Sequence, residues 1–231
     1  MAATAHHAHT VGGAPSAVED YAKAIYTFQS RGERAVTTSA LAERLGVTPA
    51  SASAMVKKLD RLGFVDHNRY HGVRLTERGE RIALAVTRKH RLLELFLAES
   101  LDVPWDRVHQ EAEALEHVIS EDLEARIAAK LDNPTHDPHG DPIPSAELVM
   151  DDGVTRSLDS LEPGAVGRFA RVSDSDPDML RYLEERGISL GDRFEVIERQ
   201  PFEGPLKVRF GRVDHVLGGA LARAMRVEPD A

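Results

Sequence analysis

The chain has 231 residues, 29 Lys and Arg against 38 Asp and Glu for a net charge of −9, and 42% apolar residues, the make-up of an ordinary globular protein with room for one large or two to three small domains. No apolar run approaches the roughly 18 residues of a membrane-spanning helix, and the opening MAATAHHAHT lacks the pattern of a secretion signal, so the expected setting is the cytoplasm, with no membrane partner. Cysteine is absent, which excludes a disulfide scaffold, thiolate zinc sites and cysteine nucleophiles, and leaves His, Asp and Glu as the strong metal ligands.

Residues 1–16 have no periodicity and read as a disordered tail, in which His6, His7 and His9 are a metal-capable cluster outside the fold. From Ala17 to Ser30, Tyr21, Ala24, Ile25 and Phe28 recur at helical spacing. Thr38 is the expected cap of a short helix, SALAERL, which Gly46 ends. Thr48 followed by Pro49 then reads as an N-cap with proline in the first helical position. The helix it starts places Ala52, Met55, Val56, Leu59 and Leu62 inward and stops at Gly63.

Two short helices joined by a tight turn make a helix-turn-helix, and the segments Phe64–His67 and Val73–Thr76, around a turn at Tyr70-His71-Gly72, read as a two-stranded wing. The outer face of the second helix carries Ala50, Ser51, Ser53, Ala54, Lys57, Lys58 and Arg61. Small side chains at a helix start, with cations behind them, suit a major groove: Thr38, Thr48, Pro49, Ala50, Ser51, Ser53 and Ala54 approach the DNA, and Lys57 and Lys58 meet phosphates. Charge agrees, since residues 1–90 hold 13 Lys and Arg against 8 Asp and Glu, a net of +5 that leaves −14 for residues 91–231. The alternative is a winged helix used for protein contact.

Glu77 to about Ser100 reads as one long helix with Ile82, Leu84, Ala85, Leu92, Leu93 and Phe96 apolar. Another is expected from Pro104-Trp105 to about Ile119, and Ser120 caps a third, EDLEARIAAKL. The apolar faces between about residues 84 and 131 exceed what one three-helix domain buries, which implies a homodimer. After the turn-rich NPTHDPHGDPIPSAEL, short alternating segments (GRFARV, RFEVIER, LKVRF, MRVE) read as a small barrel. The expected class is α+β: a tail over 1–16, a winged helix-turn-helix over 17–83, a helical dimerisation and metal domain over 84–150, and a linker with a barrel over 151–231.

In the helix after Pro104, His109, Glu113, Glu116 and His117 fall within one arc of about 100° beside the stripe Val108, Ala112, Leu115 and Ile119. His90 and Glu94 are spaced i, i+4 on the preceding helix. Three imidazoles and three carboxylates on facing helices suit Mn²⁺, Fe²⁺, Co²⁺ or Zn²⁺, although a single such pair is ordinarily a solvated one.

The run EDYAKAIY, TTSALAERLGVTPASASAMVKKLDRLGFVDH, RKHRLLELFL, VHQEAEALEHVIS and HGDPIP, in that order, resembles the diphtheria toxin repressor family of metal-dependent transcriptional repressors across roughly residues 18–228. The resemblance implies an SH3-like C-terminal barrel and a metallated dimer on a palindromic double-stranded DNA operator controlling metal-uptake genes. By position it implies an ancillary metal site at His90, Glu94 and His109 and a primary site at Asp20, Glu113, Glu116 and His117. Asp174 and Asp176, in RVSDSDPDML, are candidate barrel ligands to the ancillary site.

Asp20 and Glu113 stand where iron-responsive members carry Met and Cys, which makes Mn²⁺ the expected corepressor, Fe²⁺ the alternative, and Co²⁺ or Zn²⁺ substitutes in vitro. Lys23 replaces a Glu of the short manganese regulators, so a binuclear site of their kind is not expected. The implied action is an ordering switch, a cation fixing recognition helices near one DNA turn apart, about 34 Å. Two other classes compete: a carboxylate-bridged di-metal enzyme, which lacks the paired Glu-x-x-His motifs it would need, and a DNA-binding protein indifferent to metal.

Overall fold

A computed structural model describes residues 15–30, 35–68, 72–202 and 204–230; the tail histidines and the tip of the wing, Tyr70 and His71, lie outside the described residues. The chain forms two compact units, one of residues up to Thr87 together with His117–Leu123, the other of Arg88–Glu116 with Glu124 onward.

The first unit holds α1 (Ser16–Ser30), α2 (Thr38–Arg44), α3 (Pro49–Arg61), β1 (Val65–Asn68), β2 (Gly72–Leu75) and the start of α4 (Glu77–Leu101). Thr37, and not Thr38, caps α2. Thr37 has the extended backbone a cap requires, and its hydroxyl accepts from the Ala40 amide at 3.1 Å, while Thr38 is already helical. Thr48 caps α3 through the Ser51 amide at 3.2 Å, with Pro49 in the first turn. Ala52, Val56 and Leu59 are buried and Met55 is half-buried, but Leu62 is 44% exposed: it is the last residue before the chain reverses at Gly63, φ +70°, and so leaves the inward stripe. β1 and β2 pair antiparallel from Val65↔Leu75 to Asn68↔Gly72, and Val36 bridges Val73 on the other edge. Val18, Ile25, Leu41, Val56, Leu59 and Val73 close the core beneath them.

The second unit holds the rest of α4, α5 (Val108–Leu115), most of α6 (Glu121–Lys130) and the barrel strands β3 (Arg156–Ser157), β4 (Val166–Val172), β5 (Arg193–Arg199), β6 (Leu206–Phe210), β7 (Val213–Leu217) and β8 (Met225–Pro229). Their order is β3-β8-β4-β5-β6-β7, every pair antiparallel. Two helices lie within this segment, α7 (Pro177–Glu184) and α8 (Gly219–Ala224). Phe169, Leu180, Leu183, Leu206, Leu217 and Met225 fill its core, and Trp105 packs on the same cluster.

Helix α5 is shorter than its apolar stripe predicts. Pro104 and Trp105 form a turn before it, and it ends at Leu115 with Glu116 as C-cap. The β-branched pair Val118-Ile119 follows, then Ser120, whose hydroxyl accepts from the Leu123 amide at 3.2 Å to start α6. A residue that caps the next helix cannot continue the previous one.

Candidate DNA face and metal centres

On α3, Ala50, Ser51, Ala54, Lys57, Lys58 and Arg61 are exposed, as are Thr48 and Pro49, whereas Ser53 and Thr38 are half-buried. The Thr48 and Ser51 hydroxyls lie 2.9 Å apart and serve the cap, which fixes the start of the helix that the wing flanks. Lys58 and Arg61 in the last turn put positive charge where the helix dipole favours it, so the face stays cationic at little cost in stability.

Asp20 and His117 meet within the first unit. His117 Nε2 lies 2.9 Å from Asp20 Oδ1, and its Nδ1 lies 2.6 Å from Glu19 Oε2. The helix expected to carry all four ligands stops at Leu115, so Glu116 and His117 follow its end. Glu116, in the second unit, is buried and accepts from His90 Nδ1. Glu113 stands on α5 with an oxygen 3.5 Å from His109 Nε2.

The second unit gathers His90, Glu94, His109 and Asp174, with one donor atom from each inside a 4.8 Å sphere of mutual distance. His90 Nε2 is 3.0 Å from Glu94 Oε1 and 3.1 Å from His109 Nδ1, and His109 Nδ1 is 3.2 Å from Glu94 Oε1 and 2.8 Å from Asp174 Oδ2. Asp174 thus joins from the barrel. Asp176 does not: its carboxylate caps α7 by accepting from the Asp178 amide at 3.0 Å.

Electrostatics follow from this crowding. Burial alone would lower His109, but its hydrogen bonds to Asp174, Glu113 and Glu94 outweigh burial and push it up to about 12. Burial would likewise raise Glu94 and Asp174. The His109 and His90 bonds hold Glu94 far below the carboxylate range instead, and His109 lowers Asp174. The His109 proton so retained puts positive charge among these carboxylates.

Sequence reasoning missed three residues in these surroundings. Glu19 directly precedes Asp20 and carries no spacing signal of its own, and Asp137 and His139 lie in the DPHG turn, where no periodicity marks a facing side chain. Their only sequence signal is that a turn so rich in Pro, Asp and His is unusual for a mere connection. Burial pushes Asp137 and Asp141 up, with Glu94 adding to the effect in both.

The chain matches the family described as iron dependent repressor, N-terminal DNA binding domain, over residues 15–73, that family's metal binding and dimerisation domain over 76–145, and the FeoA domain over 156–229. It is 33% identical over 222 residues to the iron-dependent repressor IdeR of Mycobacterium tuberculosis, covering 91% of this chain and 96% of that one. It is 27% identical over 224 residues to the diphtheria toxin repressor of Corynebacterium diphtheriae, covering 91% and 96%. Among solved structures it resembles a manganese-dependent transcriptional repressor in complex with manganese, at 43% identity and a TM-score of 0.86, over 92% of this chain and all of that one. It also resembles the manganese regulator SloR, at 30% identity and a TM-score of 0.78 over 92% and 98%.

Proposed function

The chain belongs to the iron-dependent repressor family, that of the diphtheria toxin repressor, and is a metal-dependent DNA-binding repressor; from that footing we propose that its corepressor is Mn²⁺, held by Asp20 and His117 in the first unit and by His90, Glu94, His109 and Asp174 in the second. The observation that carries the reading is Asp20 beside His117 at 2.9 Å, in a chain with no cysteine, at a position where the resemblance places Met in iron-responsive members. Oxygen and imidazole donors suit a hard ion of high coordination number.

The second donor set fits a divalent cation on its own account. Glu94 is 1% exposed and its Oε2 has no hydrogen-bond partner among the described residues, an orphan that ordinary packing leaves rarely. Bound, the cation supplies positive charge in place of the His109 proton. Asp20 lies on α1, which packs on α2 and β2, so fixing Asp20 against His117 restrains the helix that supports the helix-turn-helix. Residue 117 is also where the chain re-enters the first unit, directly after Glu116. Ordering by ligation at this point changes the population of DNA-competent protein only through a difference in affinity between ordered and disordered forms.

The DNA partner in this reading is a palindromic operator of metal-uptake genes, bound in the cytoplasm by a homodimer formed through the segment between about 84 and 131, where Leu101, Val118 and Leu123 are exposed. No catalytic step belongs to it. Fe²⁺ is the second reading, favoured by the relatives named iron-dependent that span 91% of this chain. Titration of operator binding with Mn²⁺, Fe²⁺, Co²⁺ and Zn²⁺ at matched occupancy decides: strongest operator binding with Mn²⁺ is expected, and equal activation by Fe²⁺ would overturn the manganese reading.

A further inference from the structure

We propose that Gln29 is a positioning residue that couples α1, the helix carrying Asp20, to the wing, so that a cation held at Asp20 governs how the wing is placed. Gln29, half-buried in the last turn of α1, accepts through its Oε1 from the backbone amide of Leu75 in β2 at 3.1 Å, across 46 residues of sequence. The metal end of this coupling rests on the corepressor reading of Asp20 and His117; the link to the wing stands on its own bond.

The bond sits on the outer edge of the wing. There Val73 of β2 exchanges both backbone hydrogen bonds with Val36, at 2.9 and 3.0 Å. Amides on one edge of a strand recur every second residue, so the next to face outward is that of Leu75. A side chain of α1 takes it, and not a further strand. The same logic holds on β1. His67 pairs with Val73, so its amide also faces away from the partner strand, and the Asp60 carboxylate of α3 accepts from it at 3.1 Å. The wing is thus pinned to α3 through β1 and to α1 through β2.

Helix α1 can carry a displacement from one end to the other. Asp20 and Gln29 are about 13.5 Å apart along its axis at 1.5 Å per residue, with no Gly or Pro between them. Val18, Tyr21, Ala24 and Ile25 seat the helix on the core shared with Val36, Leu41 and Val73. Those apolar contacts hold it down, and the Gln29 bond adds a directional link, with its own distance and angle requirements, to one amide of the wing. Arg74, directly before Leu75, is exposed and stands opposite Asp66 across the ladder, so the strand that Gln29 holds also presents a cation to which a DNA phosphate can bind. A bond that only satisfied an edge amide would stabilise the wing equally with and without metal. A coupling bond makes the placement of the wing depend on α1.

The test reads coupling and not affinity alone. Full-length protein is titrated against a duplex selected from a random pool by the Mn²⁺-loaded unmodified protein, once at saturating Mn²⁺ and once with chelator. The ratio of the two affinities is the metal response. Gln29→Met keeps the bulk and removes the acceptor. It is expected to bind Mn²⁺ without DNA as the unmodified protein does, and to lose about fivefold of the metal response, the size that one neutral hydrogen bond allows. By reciprocity, the duplex should then enhance Mn²⁺ affinity about fivefold less in the same variant. Gln29→Glu restores the acceptor and is expected to restore the response. Equal losses of duplex affinity with and without Mn²⁺ leave the ratio unchanged, and that result overturns the proposal. Should Gln29→Met fail to fold, Gln29→Ala, which also lacks the acceptor, is read in the same way. Asp20→Ala separates the two ideas. If it keeps the full metal response, the corepressor reading of Asp20 falls and takes the coupling with it. If it abolishes the response while Gln29→Met leaves it whole, the role of Gln29 alone is refuted.

Discussion

His90 Nδ1 and Glu116 Oε2 form a buried hydrogen bond between residues 26 apart in the chain, while the other nitrogen of the same ring faces Glu94 and His109. A carboxylate that accepts from Nδ1 fixes the tautomer, makes Nε2 a better donor and orients the ring toward a cation. Glu116 therefore positions the His90 ring, alongside the primary-site role that the resemblance implies for it. Glu116→Gln in a His117→Ala background is expected to weaken Mn²⁺ binding at that centre about 10–100-fold, the usual effect of losing such a partner, with the circular dichroism spectrum unchanged. Calorimetry showing full affinity would remove Glu116 from this role.

Protons and cations compete at the same atoms. His109 is held up at about 12 against its ordinary 6.5, so the metal-free protein carries this proton through neutral pH. Cation binding must release it, and affinity should rise with pH across the neutral range. Titrations in buffers of different ionisation enthalpy are expected to reveal about one proton released per cation at the His109 centre. The same shift has a sign for stability. A raised imidazole stabilises fully below its unfolded value of 6.5 and progressively less as pH climbs toward about 12. Glu94, lowered from 4.5, stabilises above that value and is lost on acidification. The melting midpoint of the metal-free protein should therefore fall from pH 6.5 to 9, and less steeply in His109→Gln.

Much of this was legible. Thr48-Pro49, the stripe Ala52-Val56-Leu59 and Gly63 act locally, within a turn or two of the chain, and the helix and wing they specify are present. What failed has a common cause. The helix expected to run to Ile119 ends at Leu115, because Ser120 claims the chain for α6. Asp137 and His139 face Glu94 across more than 40 residues of sequence, through a turn whose bonds have no period. Strand β7 and helices α7 and α8 are short segments whose burial is set by the barrel around them, which local pattern cannot show.

Gly140 is the point at which that turn can be broken selectively. Its φ is +82°, and a Cβ there would stand 2.1 Å from the Ala170 carbonyl oxygen, where neither backbone can yield cheaply. Gly153 has φ +58° with nothing within 4 Å, so Gly153→Ala measures the strain alone, of order 1–3 kcal/mol at most. Gly140→Ala is expected to lower the melting midpoint further than Gly153→Ala and to reduce Mn²⁺ binding in the second unit. Equal midpoints would show that the turn shifts freely.

On the DNA face, Lys57 is exposed on α3 one turn behind Ser53. A phosphate contact carries no sequence information, so Lys57→Ala should weaken binding to cognate and scrambled duplexes alike and reduce the salt slope by about one. A change in sequence preference at an unaltered slope would instead put Lys57 on a base edge.

In the manganese reading, the metal preference turns on Asp20. Mn²⁺ lies at the weak end of the divalent affinity order, so no arrangement of common donors selects it by strength of binding. Discrimination has to come from donor type and from which bound geometry orders the protein. In the proposed site Asp20 would offer oxygen to a cation that His117 would hold through nitrogen, and the pair stands 2.9 Å apart. A thioether at residue 20 would favour softer ions and lose the carboxylate charge that balances a hard one. Asp20→Met should therefore need about tenfold more Mn²⁺ for half-maximal operator binding, about 1.4 kcal/mol, while its response to Fe²⁺ or Co²⁺ holds or improves. His117→Ala, which removes the imidazole donor, should abolish the response to every metal with the fold intact. If Asp20→Met kept the original order of metals, the choice between manganese and iron would lie elsewhere in the chain, and the His109 centre would be the next place to look.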